Sequence, residues 1–148
     1  MQLTVIPTSR QVVRPWYASA GAVAAVLTGI MAIPVGIIFL TDPSGASMGL
    51  PHGWIEATPF GSYTVPGLYL LAVNGAGMLV LAGLISRRHW AAPWLSAILG
   101  VGLIIWILVQ LAVMPETMIL QWIFLGVGIF LGFVALFWLR RTSQLRLW

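Results

Sequence analysis

Cysteine is absent from the 148 residues, which excludes disulfides, thiolate metal sites and a cysteine nucleophile. Lysine is absent as well. All seven basic residues are arginine, and with abundant alanine, glycine and tryptophan this usage resembles that of a GC-rich bacterium. Acids are scarcer still: Asp42, Glu56 and Glu116 are the only three, and His52 and His89 are the only histidines. So small a set of ionisable groups excludes most polar chemistry. There is no HExxH helix motif for a metal, no phosphate loop and no dinucleotide fingerprint. Ser44, Ser47 and Ser62 lack a GxSxG setting. No catalytic residue, metal ligand set or cofactor is assigned.

What the chain has instead is apolar length. Hydrophobic residues make up 60% and charged residues 7%, against roughly 45–50% and about 25% in soluble domains. This is the composition of an integral membrane protein, and no polar linker divides it into separate domains. A lead-in at 1–15 precedes four apolar runs at 16–40, 67–86, 94–114 and 117–139. The first would extend about 37 Å as a helix, enough to cross a hydrocarbon core of about 30 Å with some tilt. It exceeds the apolar core of a signal peptide, so it is read as a retained span. The runs are joined by a long loop at 41–65, a turn at 87–93 and a tight turn at 115–116, and a tail follows at 140–148. The expected fold is an all-α membrane protein, a four-transmembrane-helix bundle made of two antiparallel hairpins.

Charge sets the expected orientation. Threaded through four spans, Arg10, Arg14, Arg87, Arg88, Arg140, Arg141 and Arg146 fall on one side and the three acids on the other. By the positive-inside rule both termini are cytoplasmic and the 41–65 loop faces outward, in a bacterial plasma membrane. The isoelectric point near 10.8 therefore reflects topology and not nucleic-acid binding. Trp16, Trp90, Trp94, Trp138 and Tyr69 lie near span ends, where aromatic belts form.

Helices in lipid gain nothing by hiding apolar surface from one another, so small residues that let backbones approach mark the packing faces. Gly29 in the first span, Gly75 in the second, and the GxxxG pair Gly128 and Gly132 in the fourth are the expected helix-packing positions, the last also a possible homodimer seam. An offset of 53 residues places Gly75 on Gly128 and the Arg87–Arg88 pair on Arg140–Arg141, which suggests a repeated hairpin. No span holds an acidic, basic or histidine residue, and this disfavours ion-coupled pumping. The polar residues nearest the loop side are Asn74, Gln110 and Gln121. They serve either as interhelical hydrogen-bonding groups or as the floor of a pocket.

The 41–65 loop is far longer than an antiparallel connection of about 2–8 residues requires. It contains Met48, Leu50, Trp54, Ile55, Phe60 and Tyr63, too apolar for a solvated linker. An ordered cap is expected, with a short helix near 52–57 and Trp54 and Phe60 as anchors. His52 and Glu56, four apart on one face of such a helix, are the candidate ligand contacts, together with Trp54, Phe60, Asn74, Gln110 and Gln121.

The segments DPSGASMGLP and TPFGSYTVPGLYLLAVNG, with the LVQ and LQW elements flanking the third turn, resemble a group of small four-span bacterial membrane proteins without assigned function. The resemblance spans Asp42 to Gly75 and Gln110 to Trp122, and the chain is similar in size and topology to DoxX-like membrane proteins. It implies a fold and a location, and carries over no functional residue. The functional expectation is an accessory or scaffold subunit of a larger membrane complex. A lipid- or isoprenoid-binding protein using an outward pocket comes next, then a carrier for an apolar or neutral solute. The expected partners are the lipid bilayer and other membrane subunits or a second copy, with no nucleic acid.

Overall fold

The computed structural model describes residues 14–56, 58–114 and 116–144. The lead-in through residue 13 with its Arg10, loop residue Ala57, turn residue Pro115 and the tail from 145 with its Arg146 lie outside the described residues, as do the side chains of His52, Ser143 and Gln144.

The apolar runs form four long helices: α1 (Trp16–Thr41), α3 (Thr64–Ser86), α4 (Ala92–Val113) and α5 (Ile119–Gln144). A five-residue helix α2 (His52–Glu56) lies in the loop between α1 and α3, and no strand occurs among the described residues. Each long helix is apolar and long enough to cross a membrane. Their outward faces fit that solvent, with Ile30 58%, Ile98 66% and Phe133 54% exposed. In water such faces would be aggregation sites; in lipid they are at rest.

Two helix ends differ by three residues or more from the sequence boundaries. α3 begins at Thr64, ahead of Pro66, because first-turn positions have no helical acceptor to lose; its first helical bond runs from Gly67 N–H to Tyr63 O, 2.8 Å. α5 continues past Leu139 through Arg140 and Arg141, since the helix does not have to stop where the apolar run does; the Thr142 hydroxyl donates back to Leu139 O at 2.9 Å.

α1 packs chiefly on α3, and α4 on α5. In the first pair, a Cβ placed on Gly29 would lie 3.0 Å from Gly75 O, and one on Gly36 would lie 2.9 Å from Leu71 N. In the second, a Cβ on Gly100 would lie 2.9 Å from Gly128 O, and one on Gly128 would lie 3.0 Å from Gly100 O. Both pairs run antiparallel. Gly132 presents its backbone N to Gly100 while a Cβ of its own would meet nothing within 4 Å. The hairpins join through the Tyr69 hydroxyl, which donates to Gly102 O at 2.9 Å, and through Leu131, Val134 and Trp138, buried in the shared core with Ala18 and Ala25.

Trp138 is thus fully buried and does not join the interfacial aromatics, whereas Trp16, Trp90 and Trp94 are exposed. Helical phase decides this: Trp138 falls on the inward stripe with Leu131, Val134 and Ala135.

α3 is not uniform. Leu70–Gly77, between its α-helical ends, is a π-helical segment with i to i+5 bonding. Such segments are rare and concentrate at functional sites. The wider turn spans Gly75, which approaches Ile33 of α1 so closely that a Cβ would lie 2.7 Å from Ile33 Cγ1, and it buries Asn74 to 2% exposure.

Topology puts Arg14, Arg87, Arg88, Arg140 and Arg141 at one end of the bundle and Asp42, Glu56 and Glu116 at the other. The loop between α1 and α3 lies at the acidic end.

Candidate functional site: a capped cavity at the acidic end

The loop is folded by its own polar residues. Asp42, directly after α1, accepts hydrogen bonds from the Ser44 hydroxyl and backbone N–H at Oδ1 and from Ser47 N–H at Oδ2, the last at 2.7 Å. Hydrogen bonds from the Ser44 hydroxyl and then from Ser47 hold its carboxyl at about 2, well below the ordinary 3.8. This turn leads into a 3₁₀ turn at Ala46–Met48, and Leu50 N–H closes it on Gly45 O at 3.1 Å. Tyr63 N–H then donates to Pro43 O at 2.9 Å, pinning the far end of the loop to its start.

Tyr63 is the centre of the cap. Its ring stacks on Phe39 of α1 at a centroid distance of 4.7 Å, and with Ile55 these form a small apolar cluster of their own. Gly45 makes room for it. At φ +76° Gly45 occupies left-handed backbone, and a Cβ there would lie 2.7 Å from Tyr63 Cε2.

Between the cap and α4 is a partly open cavity of about 50 Å³. Phe39, the cap residues Trp54, Ile55, Thr58, Phe60 and Tyr63, and Trp106, Val109 and Gln110 of α4 form most of its wall. The wall is apolar and carries no charged side chain. Two of the lining residues each hold a polar atom that is buried without a hydrogen-bond partner: the Tyr63 hydroxyl and Trp106 Nε1. Trp106 is fixed from behind by Tyr69, which stacks on it at 4.4 Å while bonded to Gly102 O. Burial pushes the Tyr63 phenol above its ordinary 10, so it is neutral and able to donate at physiological pH.

The candidate ligand contacts separate into groups. Trp54, Phe60 and Gln110 line the cavity; Glu56 is exposed on α2, and the His52 side chain lies outside the described residues. Gln121 is at the start of α5, where its Oε1 accepts from Met118 N–H at 3.0 Å and its Nε2 donates to Met114 Sδ at 3.5 Å. That is half of a capping box, a structural use of a third-position glutamine. Asn74 is in the π-helical segment, away from the cavity wall, with Oδ1 buried and unpartnered. The three amides are therefore not a common floor. Sequence reasoning missed Phe39, Tyr63 and Trp106 as site residues. Tyr63 had one legible signal, an aromatic two residues after Gly61 and directly before an α3 first turn containing proline; Trp106 is a tryptophan in mid-span, away from the interfaces tryptophan favours.

No group of three or more metal-ligating side chains occurs among the described residues. The fold and the site define an integral membrane four-helix bundle with a capped apolar cavity at its acidic end. Comparison with known proteins finds no match: no family model, curated protein or solved structure is similar to the chain.

Proposed function

We propose that the protein binds a lipid-like amphiphile, taking one end of it into the cavity beneath the cap. One observation carries this reading: a partly open, apolar cavity lies beneath an ordered cap, between it and α4, with no charged side chain in its wall. A single water needs about 10–15 Å³, so a cavity of about 50 Å³ holds the end of an amphiphile and not the whole molecule. Val109 lines the cavity and is also 37% exposed, so the opening adjoins a face suited to lipid and the rest of the chain can stay in the bilayer.

With the arginine end cytoplasmic in a bacterial plasma membrane, the cavity draws on the outer leaflet. A reporter active only in the cytoplasm then works at position 148 and near His89, and one active only outside works near Gly49; cytoplasmic accessibility of Gly49 overturns the orientation. The binding reading is tested by mass spectrometry of organic extracts from protein purified in a mild detergent. A stoichiometric amphiphile retained by the parent and lost on Trp54→Ala, Phe60→Ala double substitution is the expected result. Equal retention by both proteins, or none by the parent, refutes it.

The accessory-subunit reading has a separate support. Gly83, Gly126 and Gly132 would each direct a Cβ into open space, leaving places on the lipid face where another helix can approach closely. Co-purification of a stoichiometric larger complex is its signature.

A further inference from the structure

We infer that the end of the amphiphile taken beneath the cap is its hydrocarbon end, the slender tip of a single alkyl chain, and that the polar head stays outside the cavity. This rests on the amphiphile-binding reading above and names which end enters.

The wall offers a ligand carbon. Phe39, Ile55, Phe60 and Val113 have only apolar side chains to present, and the surface turned to the cavity is almost wholly apolar. The polar side-chain atoms of three further lining residues are spent or sealed. The Thr58 hydroxyl donates to Ile55 O at 2.7 Å and accepts from Phe60 N–H at 3.2 Å, while the Tyr63 hydroxyl and Trp106 Nε1 are enclosed and leave no surface for a ligand atom to touch. Such a space does not suit water, which needs about 2–4 polar partners to stay. Left empty, it forfeits the dispersion contacts of its lining. Hydrocarbon answers both conditions, whereas a phosphate, carboxylate or ammonium would be stripped of water and find no counter-charge in the wall.

The volume sets the shape. At about 10–15 Å³ for each water-sized group, a cavity of about 50 Å³ takes about three to five carbons of a chain. An apolar cavity that admits benzene measures about 150 Å³, so a ring or a sterol is too broad while the cap is closed. Depth restricts the source. On α4 the wall runs from Trp106 to Met114, just past the helix end at Val113, so the cavity lies within about 10 Å of the acidic end of that span. The chain ends of a diacyl lipid rest near the bilayer centre, about 15 Å from either surface of the hydrocarbon core. A single-chain amphiphile with its head at the acidic-end surface reaches the cavity by bending its short chain inward, and a diacyl lipid would have to fold a long chain back.

Three photoactivatable probes test this on full-length protein in bilayer discs of phosphatidylcholine: a dodecanoyl lysophosphatidylcholine with a diazirine near the chain end, the same molecule with the diazirine beside the head, and a phosphatidylcholine with the diazirine near one chain end. Crosslinked residues are mapped by mass spectrometry. The end-labelled single-chain probe is expected to mark the 54–63 and 106–114 segments, and excess unlabelled lysophosphatidylcholine to suppress the marking. The other two probes should leave those segments unmarked. A competitor whose chain ends in a tert-butyl group should be needed at about fivefold or greater excess over the straight chain, since overfilling is costly. Val109→Trp sets a larger ring at the mouth from a position 37% exposed, so it should abolish the marking with the melting temperature unchanged. Gln110→Leu removes an amide from the wall and should leave the marking intact. Head-labelled probe marking the wall as strongly as the end-labelled one, or a several-fold loss in Gln110→Leu, overturns the hydrocarbon assignment while leaving amphiphile binding standing. Equal marking in parent and Val109→Trp also overturns it, and equal marking by the diacyl probe overturns the single-chain source. If no probe marks the wall in a suppressible way and no amphiphile co-purifies, the parent reading falls too.

Discussion

Four glycines of the cap form a graded test of how the loop is held, with Gly45→Ala the decisive member. Two costs add at Gly45. Its φ of +76° places any L side chain in left-handed backbone, at about 1–2 kcal/mol. The new Cβ also lies 2.7 and 2.9 Å from Tyr63 Cε2 and Cδ2. Tyr63 cannot simply recoil, because its N–H is tied to Pro43 O and its ring is stacked on Phe39. Overpacking of this kind costs about 1–3 kcal/mol, for a total of about 2–5 kcal/mol. Gly49→Ala and Gly61→Ala carry only the backbone cost, since φ is +67° and +62° and nothing lies within 4 Å of a Cβ at either. Gly53→Ala is in α2 with open space around it and should gain about 0.5–1 kcal/mol of helix propensity. Limited proteolysis of the 43–63 segment in vesicles or detergent reads the population of the open cap, as long as closing outpaces cleavage. The expected order of cleavage is Gly45→Ala fastest by at least about fivefold over Gly49→Ala and Gly61→Ala, these faster than parent, and Gly53→Ala slowest. If Gly45→Ala is cut no faster than Gly49→Ala, Tyr63 does not pack against Gly45 and the cap is not closed in this way.

Asp42 gives the cap a pH dependence with a defined sign: its folded-state pKa, about 2, lies below the unfolded 3.8, so its contribution is complete above pH 4 and lost as pH falls toward 2. Cap proteolysis should rise across that window in the parent and be flat in Asp42→Asn. Gly128→Ala places a Cβ 2.9 Å from Ile104 Cγ1 and 3.0 Å from Gly100 O, so its melting temperature in detergent should fall with a cost of about 1–3 kcal/mol, whereas Gly132→Ala should match or exceed the parent. Arg88, at φ +53°, closes α3 with its N–H on Ile85 O and His89 N–H on Leu84 O, a position that suits glycine. Arg88→Gly should therefore melt higher by about 1 kcal/mol; a lower melting temperature would mean that the Arg88 side chain stabilises the fold by more than the backbone strain it imposes.

Much of the architecture was legible because hydropathy and length act locally. A run such as Trp94–Met114 can satisfy its backbone in lipid only as a helix, whatever its neighbours are. Within each run the small residues also carried information, since Gly29, Gly75 and Gly128 have no other use so dense in lipid. Their partners were not legible. Gly128 faces Gly100 while Gly132 turns its Cβ direction outward, and four residues of helix rotate the face by about 40°, enough to separate contact from open space. The amides show the same limit: position along the spans placed Asn74, Gln110 and Gln121 toward the loop side, but rotation and the π-helical segment sent them to three different uses.

The sequence alone determined that this is a four-span bundle with its arginines at one end, its acids at the other and a long apolar loop beside the acids. Those properties depend on composition and order along the chain. Only the tertiary structure decided which loop residues matter. Tyr63 and Trp106 are 43 positions apart and share no motif; they meet one cavity because Asp42 folds the turn, Gly45 leaves space for the ring and α4 leans against the cap. A missing hydrogen-bond partner is likewise a property of three-dimensional surroundings, and no reading of residue types along a line can detect it.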